Sequence, residues 1–96
     1  MHHFTEQSSE VLKVLNIITR RLIRLHHLDM VKTTFKTFSK LRRNMRRPVY
    51  AEIIEDNAIN KALFFLSKMK YAQAREAMKD FQFAESTKMI ESIINH

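Results

Sequence analysis

The sequence predicts an all-α protein, a compact five-helix bundle, and three observations carry that prediction. The 96 residues contain no Gly and a single Pro, so the Asn-Gly, Asp-Gly or Gly-Gly pairs that close β-hairpins are missing. Apolar residues recur at intervals of three and four in nearly every segment, which is the spacing of a helix face. The composition, 45% hydrophobic and 28% charged, is that of a globular chain rather than a disordered one. At this length a single domain with a thin core is expected.

Val11, Leu15, Ile18, Leu22 and Leu25 lay one apolar stripe along a first helix, with Ser8 or Ser9 able to cap its start. The His26-His27 pair reads as a break. Asp29 is then a cap for a second helix whose stripe is Val31, Phe35, Phe38, Leu41 or Arg42, and Met45. Pro48 ends it, because the residue before a proline is pushed out of helical geometry while Pro itself suits the first turn of a new helix. A short third helix carries Val49, Ile53 and Ile54 and stops at Asp56 and Asn57. A fourth starts near Ala58 and turns Ile59, Ala62, Leu63, Leu66 and Met69 inward. Residues 71–73 read as a connection, and the last helix carries Ala74, Ala77, Phe81, Ala84, Ile90 and Ile94. Phe64 and Phe65 are adjacent and cannot share one narrow stripe, so one is core and the other lies on a second buried face or in solvent. Phe81 is core by its spacing. The expected domain is 8–94, with 1–7 a disordered lead-in or cloning remnant. No repeat or linker is visible, which is compatible with a domain excised from a longer protein and leaves that question open. Periodicity leaves right-handed and orthogonal bundles both open.

Charge is distributed unevenly. Residues 13–47 hold eleven Lys/Arg and one acid, Asp29, for a local charge of +10, while the remainder sums to −3 and the whole to +7. Such a one-sided surface points to an acidic partner, either nucleic acid or an acidic protein segment. Arg42, Arg43, Arg46 and Arg47 come as two pairs that steer acidic groups, grip phosphates, or simply complement a helix C-terminus.

Several function classes find no material in the chain. There is no Cys, hence no disulfide framework and no thiolate metal site. His26 and His27 diverge as neighbours, and no spaced carboxylate pair completes a metal site with them. Glu52, Glu55 and Asp56 sit at an expected helix boundary, where capping is the commoner role for an acid. No Gly-rich phosphate cradle exists. Neither catalysis nor a cofactor is expected. No apolar run of about 18 residues spans a membrane, and no signal-peptide core is present.

The segment from Ile53 to Met69 (Ile-Ile-Glu-Asp-Asn-Ala-Ile-Asn-Lys-Ala-Leu-Phe-Phe-Leu-Ser-Lys-Met) resembles a pattern of domains like the TFIIS N-terminal domain, found also in elongin A. Ile59, Lys61, Leu66 and Lys68 fall on that family's positions; Asn60 stands at its Gly and Ser67 at its Arg. Leu25-His26-His27-Leu28-Asp29 is similar to the interhelical loop of one branch, the integrase-binding domain of lens epithelium-derived growth factor. Lys68-Met69-Lys70-Tyr71, followed by Ala77-Met78-Lys79-Asp80, is similar to that branch's basic-aromatic loop and next helix. The resemblance covers roughly residues 11 to 93, and the chain is longer than the pattern around Arg42 to Arg47.

This resemblance implies a right-handed five-helix bundle in the nucleus, a monomer that docks disordered motifs of transcription-elongation or chromatin proteins. Such motifs combine acidic and aromatic residues. The implied peptide site is a pole built from two interhelical loops, with Leu25, His26 and Asp29 on one side and Met69, Tyr71 and Ala72 on the other. His26 stands where the integrase-binding branch has an Asp that hydrogen-bonds the partner backbone. Tyr71 with Met69 suits an anchoring pocket for an incoming Phe, because both bury large area while tolerating varied partners. The alternatives are a helical nucleic-acid-binding domain using the 13–47 surface, including weak non-specific attraction, and a small structural subunit of a ribonucleoprotein.

Overall fold

The computed structural model describes residues 2–43 and 47–96, with side chains from Ser9 onward. Five α-helices follow in order: α1 (His2–Arg24), α2 (Leu28–Arg42), α3 (Ala51–Ser67), α4 (Tyr71–Ala77) and α5 (Glu85–Ile94). Short 3₁₀ turns at Pro48–Tyr50 and Lys79–Phe81 precede α3 and follow α4. Among the described residues there is no strand.

Helix α2 folds back antiparallel on α1, pairing Val31 with Ile23, Thr34 with Thr19 and Phe38 with Leu12. Helix α3 then runs parallel to α1. Ile53 lies beside Leu12, Asn57 and Asn60 beside Asn16, and Phe64 beside Ile23. Alanines 58, 62 and 74 line the α3–α4 contact, and side chains this small let two helix axes approach closely. Met78 and Ile90 complete that cluster with α5. Helix α3 thus touches all four other helices. The molecule is thin, 47 × 30 × 16 Å, and its radius of gyration of 13.5 Å is close to the value of about 13 Å for a compact chain of 100 residues.

The number of helices matches the sequence expectation, but the segmentation differs, and for physical reasons. No break occurs at Asp56 and Asn57; α3 passes straight through them, because the Asn57 amide bonds to Asn16 on α1 instead of capping its own backbone. The expected last helix is instead two, α4 and α5, separated by the 3₁₀ turn and residues 82–84. Residues 71–73 are no connection: they open α4. Ser8 and Ser9 lie within α1 rather than at its start. Asp29 is the second residue of α2, where a negative charge favours the helix dipole, and the cap position is His27. Arg47 is extended before Pro48, as the proline requires. Met45 lies outside the described residues.

The buried face of α1 is rotated from the expected one. Leu12, Asn16, Thr19 and Ile23 are buried, while Val11, Ile18 and Leu25 of the expected stripe are exposed and Leu15 and Leu22 half-buried. Two polar residues in a buried seam are tolerated because each is satisfied. The Asn16 side-chain amide donates to the Ile53 carbonyl at 3.1 Å, and its Oδ1 accepts from Asn57 Nδ2 at 3.3 Å. Asn60 Nδ2 donates to the Asn16 carbonyl at 3.1 Å, while Asn60 Oδ1 accepts from Arg20 Nε at 3.3 Å. Thr19 donates to Thr34 Oγ1 at 2.8 Å, and Thr34 in turn to the Val31 carbonyl at 2.7 Å. Among the described residues no buried side-chain polar atom lacks a partner.

Candidate functional site

Helices α1 and α3 end in the same way. In each, the N–H two residues past the cap reaches the carbonyl in the last turn: His27 to Leu22 at 2.9 Å, and Lys70 to Phe65 at 2.8 Å. The preceding N–H closes the inner bond, His26 to Ile23 and Met69 to Leu66, both at 3.0 Å. This Schellman closure needs a left-handed residue, normally Gly. The chain has no Gly, so His26 (φ 60°) and Met69 (φ 58°) adopt it instead, at a strain of about 1–2 kcal/mol for an L-residue.

Because α1 and α3 are parallel, both turns fall at one end of the molecule. Ser67 and Leu66 from α3 line a shared cavity with Ile23 and Arg24 from α1. At this pole Leu25 is 56% exposed, Met69 72% and Tyr71 41%; His26, Asp29 and Ala72 are exposed as well. Tyr71 and Ala72 are the first two residues of α4, so the second side of the pole is a turn plus a helix start rather than a loop. The neighbouring charges along the chain are Arg24, Lys68 and Lys70 against Asp29.

The arginine cluster sits elsewhere. Arg42 ends α2, and Arg43 and Arg47 follow it. The 15 residues of α2 place them about 20 Å from the pole at 1.5 Å per residue. Their side chains are exposed, and at that distance their field at the pole is largely screened at physiological salt. Arg46 lies outside the described residues.

Two features escape the sequence reading. The first is the exposed apolar side of α1, Val11, Val14, Ile17 and Ile18 with Leu25. The second is a groove of about 490 Å³ between α2, α3 and α4, with Phe35, Phe64 and Phe65 as its floor and Lys32, Lys36 and Lys61 along its edge. The Phe35 and Phe64 rings meet edge to face at 5.7 Å, and Phe64 and Phe65 at 5.4 Å. Lys61 Nζ lies 5.9 Å from the Phe35 ring centre and Lys68 Nζ 4.8 Å from that of Phe64. A signal for this groove is present in the sequence: Lys32-x-x-Phe35-Lys36 and Lys61-x-x-Phe64-Phe65-x-x-Lys68 put cations and rings on common helix faces.

Electrostatics vary between these regions. A cleft of about 700 Å³ between α1 and α3 sets Lys13, Arg20, Arg21 and Arg24 against Glu52 and Asp56. There burial pushes the Asp56 carboxyl above its usual range, with Arg20 opposing the shift and Glu52 and Glu55 adding to it. Burial also lowers Lys61, and the Arg42 charge lowers it further. Among the described residues no His, Cys, Asp or Glu cluster has the size to hold a metal ion, and no helix is long and apolar enough to cross a membrane.

The chain matches no protein-family model, no curated protein and no solved structure.

Proposed function

We propose that this protein is a non-catalytic interaction module that docks short disordered motifs, acidic and aromatic, at the pole shared by the His26 and Met69 turns. One observation carries the reading: the parallel α1 and α3 bring two distant turns to one end and leave Leu25, Met69 and Tyr71 in solvent there. Large flexible apolar side chains beside Arg24, Lys68 and Lys70 suit a ligand that combines a bulky anchor with carboxylates. The family resemblance extends the proposal to motifs of transcription or chromatin proteins in the nucleus, and to a right-handed TFIIS-like topology and a monomeric state. Phosphate binding by the basic 13–47 surface is the competing reading.

The test is a titration of the isotope-labelled protein with a synthetic peptide of Asp and Glu around one Phe. Amide shifts at Leu25, His26, Asp29, Met69, Tyr71 and Ala72 are expected. Shifts confined to the Arg42, Arg43 and Arg47 end would overturn the site. Tighter binding to duplex DNA than to the peptide, with a steep log-linear salt dependence, would favour the competing reading.

A further inference from the structure

We infer that the Phe35–Phe64–Phe65 groove is a second docking surface, distinct from the pole, whose occupant is an acidic peptide segment inserting one bulky apolar side chain. The inference rests on the interaction-module reading only for the class of ligand, since the residues of the two surfaces do not overlap.

Four observations converge on it. The groove, at about 490 Å³, falls in the size range of ligand sites, roughly 300–1,000 Å³. Its floor is aromatic and drawn from two helices, so its shape is fixed by the core: Phe64 is buried against Ile23 and Val31, and Phe35 and Phe65 pack on that cluster. Its edge carries three lysines, and among the described residues none of them has a carboxylate within 4 Å. The one acid on the edge, Glu76, is already paired with Lys79 at 2.8 Å. An incoming carboxylate therefore meets uncompensated positive charge next to an apolar floor.

Charge complementarity selects the occupant. Lys61 is half-buried, and burial together with the Arg42 field disfavours its charged form. A carboxylate arriving beside it removes that penalty, which an apolar ligand alone does not. A nucleic acid fits less well: Phe64 is 4% exposed, and Lys61 and Lys68 lie over the Phe35 and Phe64 rings, which leaves these faces little room for base stacking. A second copy of this chain brings its own +7 to an already cationic edge.

Fluorescence anisotropy with a labelled peptide of Asp and Glu around one Phe tests the inference. Three comparison peptides replace Phe by Ala, replace the acids by Asn and Gln, or scramble the order. In the Met69→Asp background, which disables the pole, the expected result is saturable binding that weakens roughly tenfold or more, about 1.4 kcal/mol, when Lys32→Glu/Lys36→Glu is added. Both of these side chains are exposed, so the fold is retained, and circular dichroism checks it. The same reversal of charge at Lys13 and Arg21 on α1 controls for net charge and leaves affinity within about twofold. Binding lost in Met69→Asp but kept in Lys32→Glu/Lys36→Glu overturns the groove and leaves the pole standing. Binding unaffected by removing Phe, or lost equally in the α1 control, overturns the groove as mere charge attraction. No saturable binding of any peptide overturns both surfaces.

Discussion

Asn57 on α3 donates its side-chain amide to Asn16 Oδ1 on α1, 3.3 Å away and across 41 positions of sequence. Both residues are buried, and Asn16 also holds Ile53 and Asn60. The parallel register of α1 and α3, and with it the coincidence of the two turns at one pole, is set by this amide cluster as much as by apolar packing.

Replacing Asn16 by Ala is therefore expected to cost about 1–3 kcal/mol, because it leaves the Asn57 amide and the Ile53 carbonyl buried without a side-chain partner. For a domain of this size each kcal/mol lowers the melting temperature by roughly 4–8 °C. Thermal denaturation checks the single variant. The double variant with Asn57→Ala should lose less than the sum of the two singles. Strict additivity would show that the pair is not coupled.

The left-handed turns give a prediction that separates stability from binding. Met69→Gly relieves a strained φ at the cost of greater freedom in the unfolded chain, for a net gain of roughly 0.5–1 kcal/mol. The same change deletes the most exposed of the large apolar side chains at the pole. A higher melting temperature with weaker peptide binding is expected; unchanged binding would remove Met69 from the proposed site.

The pH dependence follows from Asp56. Its folded pKa is raised above the ordinary 3.8, chiefly by burial, so between those two values the folded state holds more protons than the unfolded one. Stability then falls as pH rises through that window and stays reduced above it. Asp56→Asn should melt higher than the parent at pH 7, with the difference shrinking as pH drops toward 3.8. A constant difference across the range would contradict this.

Lys61 works with the opposite sign. Its folded pKa is lowered by burial and by Arg42, so its charge costs stability below that value and ceases to as pH rises through the window up to 10.5. Lys61→Met is expected to raise the melting temperature at pH 7 and to weaken the acidic peptide, a trade of stability for recognition. Stabilisation without loss of affinity would mean that the groove does not use this lysine.

The fold class was legible in the sequence and the packing was not. Absence of Gly and three-four spacing suffice for an all-helical chain of five helices. The spacing nevertheless misplaces the buried side of α1, since it counts apolar side chains and cannot see that Asn16 and Thr19 will be satisfied by partners on other helices. The same blindness turns Asn57 into an expected stop. Of the candidate site, the His26-His27 break marks a true turn, but Tyr71 and Ala72 read as loop because a seven-residue helix holds too few turns to show a period. The lysine–phenylalanine groove was written in two short spacings, visible only once α2 and α3 are known to lie side by side.

That α3 touches every other helix has a consequence for breathing motions. The α1–α2 hairpin grips one side of this strut and the α4–α5 pair the other, so each half can detach while its opposite stays docked. Hydrogen exchange should accordingly resolve two opening events of unequal protection, with the amides of α3 the last to exchange.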